Sequence, residues 1–144
     1  MHHILVIDDD CSVLEVVRDM LSVAGYKVTA TCNGKEGVEL IKKQEFDLVL
    51  TDFRMPEVSG KDIAKTVKKK DSNTPVIIIT GYAKEYDGTN SEQDGIDLLL
   101  SKPLDFQTLT MNVARIILAS SGKETQALES AINSRMPSGR YTGK

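Results

Sequence analysis

The sequence predicts an α/β fold in which one five-stranded parallel sheet carries helices on both faces. Short apolar runs alternate with longer amphipathic segments along the chain, which is the pattern of strand and helix repeats. The runs are almost continuously apolar, as strands are when helices cover both faces of a parallel sheet. Five strands favour the flavodoxin-like, doubly wound order 2-1-3-4-5, and 144 residues fit one domain.

The five strands are predicted from the apolar runs. Residues 4–7 are apolar and largely β-branched, and three aspartates follow them directly. Residues 75–80 are the most apolar stretch and predict the fourth strand. The same reasoning predicts the other strands at residues 26–31, 46–51 and 96–101.

Apolar residues at helical spacing predict helices between and after these strands. Asp10 or Ser12 is a suitable N-cap for the first helix, and Gly25 lies where it would end. The pair Asn33-Gly34 is a turn signal before the second helix. The inner face of the third helix is predicted to contain Ile63, Ala64 and Val67. The last helix is predicted from Phe106, Leu109, Val113, Ile116 and Ile117.

Residues 84–94 should form the fourth of five helices, but their sequence, KEYDGTNSEQD, has almost no apolar face. We therefore predict that this helix is short or irregular. The folded domain is predicted to cover residues 1–120. Residues 121–144 are predicted to extend the last helix in part and to become disordered beyond Met136.

Composition argues against several classes of protein. The net charge is −3 with charges of both signs interleaved, so direct nucleic-acid binding is not expected. The absence of an apolar run of about 20 residues argues against a membrane span, and nothing at the N-terminus resembles a secretory signal. The two cysteines, Cys11 and Cys32, are predicted to be reduced thiols, and the expected location is the cytoplasm.

Polar residues follow or end four of the predicted strands. Asp8, Asp9 and Asp10 follow the first strand and Asp52 follows the third, while Thr80 and Lys102 lie at the ends of the fourth and fifth. In this topology, ligands bind outside the carboxyl ends of the strands. The sequence therefore predicts that acids, a hydroxyl and an amine meet at one rim of the sheet.

Such a cluster suits a metal-assisted phosphoryl transfer. Mg²⁺ prefers oxygen ligands, and it binds a small number of protein carboxylates together with phosphate oxygens. A carboxylate can act as the nucleophile and form an aspartyl-phosphate, which makes Asp52 the candidate acceptor. Lys102 supplies a positive charge and Thr80 a hydrogen bond for the phosphoryl oxygens.

Other interpretations of the same residues remain open on the sequence alone. The three consecutive aspartates could serve as a helix-capping cluster, and Asp52 could be a turn residue. A phosphohydrolase of the haloacid-dehalogenase type would use Asp8 as its nucleophile. A further alternative is an interaction module that works without phosphate.

Four segments, ILVIDDD, LVLTDFRMPEVSG, PVIIITGYA and LLLSKP, resemble the signature segments of the response-regulator receiver family. The resemblance extends from about Ile4 to Ala119. It implies that Asp52 is the phospho-acceptor, that Thr80 is the switch hydroxyl, and that Lys102 binds phosphate. It also implies a metal site made of Asp8, Asp9, Asp52 and the main-chain carbonyl of Arg54, and a cis peptide bond at Lys102-Pro103.

The resemblance further implies Mg²⁺ as the cofactor, with Mn²⁺ as a substitute. The implied donor is a sensor histidine kinase or a phosphotransferase, and the implied targets are an output domain or a downstream protein. Homodimers also occur in this family. A receiver is a switch rather than an enzyme, since it catalyses only its own phosphorylation and slow dephosphorylation.

Two positions bear on how the switch would work. The usual aromatic switch residue is replaced by Leu99, which changes how the signal would leave the domain. Arg54 and Tyr82 occupy the positions that tune dephosphorylation in the family, and both are large. We hypothesise that they impede attack by water and lengthen the phosphorylated lifetime.

Overall fold

The computed structural model describes residues 1–81 and 94–133, and their side chains as far as residue 120. This part of the chain contains five strands and four helices. In chain order they are β1 (His3–Ile7), α1 (Cys11–Val23), β2 (Lys27–Thr31), α2 (Gly34–Lys43), β3 (Leu48–Asp52), α3 (Gly60–Lys70), β4 (Val76–Thr80), β5 (Leu98–Ser101) and α4 (Phe106–Asn133). The last helix continues past residue 120, the predicted end of the domain.

All strand pairs are parallel, and the order β2-β1-β3-β4-β5 confirms the predicted doubly wound sheet. Ile7 is paired with both Thr31 and Thr51, so β1 and β2 end at the same level and β3 ends one residue later, at Asp52. The predicted irregular helix over 84–94 falls mainly on residues 82–93, which lie outside the described residues. The predicted disorder beyond Met136 also lies outside them.

The sheet separates two apolar clusters because side chains alternate between its faces. Along β1, Ile4 and Val6 pack on the face covered by α1 and α4, whereas Leu5 and Ile7 pack on the face covered by α2 and α3. The predicted inner-face residues of α3 are buried, as are Leu109, Val113, Ile116 and Ile117 of α4. Phe106, also predicted for the last helix, is the first residue of α4 and is 45% exposed.

The helix starts are determined by local hydrogen bonds. Asp10, one of the two predicted caps, accepts hydrogen bonds from the amides of Ser12 and Val13. Asn33 is the N-cap of α2 and accepts from Glu36, so the Asn33-Gly34 pair begins the helix directly. After α1, Gly25 adopts a φ of 100°, a conformation that glycine reaches without strain. No helix in residues 1–81 or 94–133 has the length and apolar character needed to cross a membrane.

Candidate functional site

Three carboxylates converge at the carboxyl edge of the sheet. Asp8 directly follows β1 and Asp52 is the last residue of β3, and both are buried, whereas Asp9 is exposed. Asp8, Asp9 and Asp52 each offer a carboxylate oxygen within 4.8 Å of the others. Asp10 points away from this cluster and caps α1.

Lys102 joins the two buried acids. Its Nζ lies 2.8 Å from Oδ2 of Asp8 and 3.5 Å from Oδ2 of Asp52. The Oδ1 atoms accept hydrogen bonds from the backbone instead, since Asp8 accepts from the Asp10 amide at 2.9 Å and Asp52 from the Phe53 amide at 2.8 Å. In both Asp8 and Asp52, one carboxylate oxygen thus accepts a hydrogen bond from a backbone amide, and the other faces the Lys102 ammonium.

Thr80 ends β4 and is fully buried. It is paired with Ser101, and its carbonyl accepts a hydrogen bond from the Lys102 amide at 2.9 Å. The Lys102-Pro103 peptide bond that follows is cis. Thr80 and Lys102 therefore lie beside each other at the same rim as the acids.

Arg54 is exposed and lines an open cleft of about 610 Å³ together with Asp9. Lys61 lines the same cleft. The cleft gives solvent and ligands a route to the exposed acid at the edge of the cluster. Tyr82, the second predicted tuning residue, lies outside the described residues.

The electrostatics of the site follow from its burial. Burial, followed by the charge of Asp8, raises the pKa of Asp52 to about 6, although Lys102 and the Phe53 amide oppose this. Burial by itself would lower the pKa of Lys102, but Asp8 and then Asp52 outweigh burial and raise it. At pH 7 Asp52 is therefore ionised, and Lys102 offsets only part of the cost of its burial beside Asp8.

The donor set fits a hard divalent cation. Three carboxylates supply the oxygen ligands that Mg²⁺ prefers. Oδ2 of Asp8 is buried and accepts no hydrogen bond from the described part of the chain, since its contact with Lys102 is an ion pair without hydrogen-bond geometry. A cation would relieve the repulsion that raises the Asp52 pKa.

Two features that shape this site were not predicted from the sequence. One is the Phe53 amide, a backbone donor that no residue type reveals. The other is Gly60, where a Cβ atom would lie 2.6 Å from the Asp52 carbonyl oxygen, so only glycine lets α3 begin so close to β3. The Ser59 and Asp62 capping box signals that helix start in the sequence.

A sequence profile of the response regulator receiver domain matches residues 4–114, which is most of the chain. The chain belongs to the response-regulator receiver family. Receiver domains are the phospho-acceptor switches of two-component signalling. This assignment confirms the resemblance seen in the four signature segments, and it removes the phosphohydrolase as a family assignment.

Among curated relatives, the response regulator SaeR of Staphylococcus aureus is 30% identical over 129 residues. The match covers 90% of this chain and 56% of SaeR, so the chain spans little more than half the length of that relative. The activity and partners of a whole response regulator are therefore not transferred by this match.

Solved structures of receiver domains superimpose well on this fold. A CheY-like receiver domain protein from Methanospirillum hungatei is 25% identical, with a TM-score of 0.80 over 85% of this chain and 98% of that one. The regulator TrrA of Thermotoga maritima, crystallised in complex with Mg²⁺ and BeF, is 28% identical, with a TM-score of 0.74 over 81% and 99%. Mg²⁺ is thus bound in a related receiver domain.

Leu99, at the position expected for the aromatic switch residue, is half-buried in β5 and packs against the cluster under α2 and α3. A leucine in this environment has neither a ring nor a hydroxyl with which to respond to Thr80.

Proposed function

We propose that this receiver domain accepts a phosphoryl group on Asp52 from a sensor histidine kinase or a phosphotransferase. Asp8, Asp9, Asp52 and the main-chain carbonyl of Arg54 would hold Mg²⁺, for which Mn²⁺ could substitute. The single observation that carries this proposal is the cluster of three carboxylates within 4.8 Å beside Lys102. Formally, three carboxylates beside one ammonium leave two negative charges, which one divalent cation would balance.

In the transfer step, a carboxylate oxygen of Asp52 forms a bond to phosphorus while the bond from phosphorus to the donor breaks. A pKa of about 6, set mainly by burial, leaves Asp52 ionised at pH 7 and therefore competent as a nucleophile. Its Oδ1 is held by the Phe53 amide, which orients the carboxylate. Bound Mg²⁺ would neutralise charge on the transferring phosphoryl oxygens.

Lys102 is proposed to pair with a phosphoryl oxygen once the group has arrived. In the free domain its ammonium lies between the two buried acids, at 2.8 Å from Asp8 and 3.5 Å from Asp52. Thr80, at the end of the adjacent strand, is proposed to donate a hydrogen bond to a second phosphoryl oxygen. The phosphoryl group would thus be bound by both β4 and β5.

Asp52 is a better nucleophile candidate than Asp8 on accessibility. Asp8 is 0% exposed, while Asp52 is 7% exposed. Asp8 also has the closer contact with the ammonium, at 2.8 Å against 3.5 Å for Asp52. We therefore assign Asp8 a role in metal binding, and we propose that the domain catalyses no reaction on an external substrate.

The test is incubation with acetyl phosphate, with and without Mg²⁺, followed by intact mass measurement. Wild type should gain one phosphoryl group only when Mg²⁺ is present, and Asp52→Asn should gain none. Asp10→Asn is the matched control, because Asn also caps helices and Asp10 lies outside the acid cluster. It should be phosphorylated like wild type.

Two outcomes would contradict the proposal. Phosphorylation that persists in Asp52→Asn would move the nucleophile to Asp8. Complete lack of phosphorylation in wild type, with acetyl phosphate and with a phosphorylated histidine donor alike, would favour an interaction module that works without phosphate.

Arg54 is proposed to slow hydrolysis of the aspartyl-phosphate by restricting water in the cleft that it lines with Asp9. Arg54→Ala should shorten the phosphorylated half-life by at least a factor of about three. Decay of the phosphorylated mass after removal of the donor measures this effect. An unchanged half-life would remove Arg54 from the hypothesis.

The domain boundary and the assembly state of the chain are also proposed. Residues 1–120 would form the receiver domain, and residues 121–144 would be a tail that extends its last helix in part. An output domain or a downstream protein would be the target of the domain. A homodimer is a further proposed assembly, and direct nucleic-acid binding is not proposed for this domain. Limited proteolysis that releases a stable fragment ending near residue 120 would support the boundary.

A further inference from the structure

The two cysteines of the chain lie side by side on its surface. Cys11 and Cys32 are both exposed. A side-chain hydrogen bond between the two thiols is the largest cause of the raised pKa of Cys11. The sequence predicts only two reduced thiols, whereas the fold brings them together beside the acid cluster.

The sheet accounts for this proximity. Ile7 at the end of β1 is paired with Thr31 at the end of β2, and the Asp8 amide donates to the Thr31 carbonyl at 3.3 Å. Cys32 is the residue after Thr31, so it lies beside the segment that connects β1 to Cys11. Both cysteines therefore lie beyond the carboxyl ends of adjacent strands, Cys11 after β1 and Cys32 after β2.

Helix caps hold both backbones in place. Cys11 is the first residue of α1, directly after the cap Asp10. Cys32 directly precedes Asn33, which caps α2 and whose amide donates to Oγ1 of Thr31 at 3.2 Å. Because neither cysteine needs a change of secondary structure to reach the other, most of the ordering that a crosslink requires is already present.

We propose that Cys11 and Cys32 form a redox modification site, which a hydroperoxide oxidises to an intramolecular disulfide. One thiolate attacks a peroxide oxygen, the O–O bond breaks, and a sulfenic acid and water (or an alcohol) form. The second thiol then attacks the sulfenic sulfur, and the S–S bond forms as the S–O bond breaks and water leaves. The two sulfurs supply two electrons, and the peroxide is reduced.

The crosslink would join the segment that carries Asp8 and Asp9 to the start of α2. It would close a covalent ring that contains α1 and β2, and so restrict the unfolded chain. We therefore expect the thermal unfolding midpoint of the oxidised domain to rise by several degrees. This site goes beyond phosphorylation and does not depend on Asp52 being the acceptor.

The test compares disulfide formation in the native 144-residue chain and in the same chain unfolded in urea. Each sample receives limited hydrogen peroxide at one pH, free thiols are alkylated at intervals, and intact mass and peptide mapping follow. The native chain should lose two hydrogen atoms and escape alkylation, with reversal by dithiothreitol. It should form the disulfide at least roughly tenfold faster than the unfolded chain, because only the fold holds the thiols together.

Two kinds of variant control the measurement. Cys11→Ser and Cys32→Ser should each give no intramolecular disulfide. The double variant Cys11→Ser, Ser12→Cys moves the thiol by one helical position, and its disulfide should form roughly tenfold more slowly than that of wild type.

Three results would overturn the proposal. The first is a native rate no faster than the rate in urea. The second is oxidation that yields only covalent dimers on a non-reducing gel. The third is a relocated thiol that reacts as fast as Cys11, since this would show that general exposure and not the geometry of the pair governs the reaction.

Discussion

The inner and outer strands of the sheet hold their parts of the site in different ways. β3 and β4 are buried along their whole length, and β1 is buried from Ile4 onward. Each of these strands is paired on both sides. The outer strands β2 and β5 are paired on one side within the described residues, and most of their side chains are only partly buried.

This difference separates the acids from the lysine. Asp8, Asp52 and Thr80 end or follow inner strands, so the rigid centre of the sheet positions them. Lys102 follows the outer strand β5, and its ammonium is held by its ion pairs with the two acids. The centre of the sheet thus provides a preformed acidic site, whereas the edge provides a cation that can change partners.

The largest expected effect tests this contrast through packing. Leu50 in β3 is fully buried, so Leu50→Ala should lower the free energy of unfolding by about 3–4 kcal/mol. Leu99 in β5 is half-buried, and Leu99→Ala should lower it by only about 1–2 kcal/mol. Urea denaturation followed by circular dichroism measures both. Equal losses in the two variants would show that β5 is held as firmly as the centre.

A second prediction concerns the close approach of α3 to β3. Gly60→Ala would bring a Cβ atom to 2.6 Å from the Asp52 carbonyl oxygen and 3.0 Å from the Phe53 Cα, and backbone atoms yield little. We expect a loss of about 2 kcal/mol in the free energy of unfolding, together with weaker Mg²⁺ binding.

Gly81, directly after β4, is the matched control for Gly60. An added Cβ there would meet no atom of the described residues within 4 Å, so Gly81→Ala should change stability by less than about 0.5 kcal/mol. If Gly60→Ala were equally mild, the end of β3 would be more adaptable than its burial indicates. Calorimetric titration with Mg²⁺ would then show whether Asp52 had moved.

The inner part of the site is also the part that the sequence predicts well. An apolar run that stops at an acid is a local pattern, and it correctly predicts that Asp8 and Asp52 lie at strand ends. The strand order follows from alternation and strand count, together with general rules for parallel sheets.

The contacts that Lys102 makes at the edge of the sheet depend on the three-dimensional fold and not on a local sequence pattern. β3 and β4 lie between β1 and β5. The backbone of Lys102 stays beside the end of β4, so its side chain has to reach across to Asp8. No spacing in the sequence encodes that contact. The same limit applies to Cys11 and Cys32, whose proximity depends on the register of β1 against β2.

The smallest expected effect concerns the ionisation of Asp52, which is buried beside Asp8 at the centre of the sheet. Burial and then the charge of Asp8 raise the pKa of Asp52 to about 6, against about 3.9 in an unfolded chain. Ionised Asp52 therefore destabilises the metal-free fold, and this cost grows as pH rises from about 4 to about 6 and stays constant above that. Below about pH 4 the carboxyl is protonated in both states, and the cost is absent.

Asp52→Asn removes this titration, so the pH-dependent part of its effect isolates Asp52 from the other ionisable groups. The unfolding free energy of the variant relative to wild type should increase by about 1–2 kcal/mol between pH 4 and pH 7. This is less than the full shift implies, because the site opens to solvent at Lys102 and Asp9. Saturating Mg²⁺ at pH 7 should stabilise wild type more than the variant. If the difference in unfolding free energy between the variant and wild type stayed constant from pH 4 to pH 7, the charge of Asp52 would not destabilise the fold. The contrast between a preformed acidic centre and a lysine that can change partners would then lose its electrostatic basis.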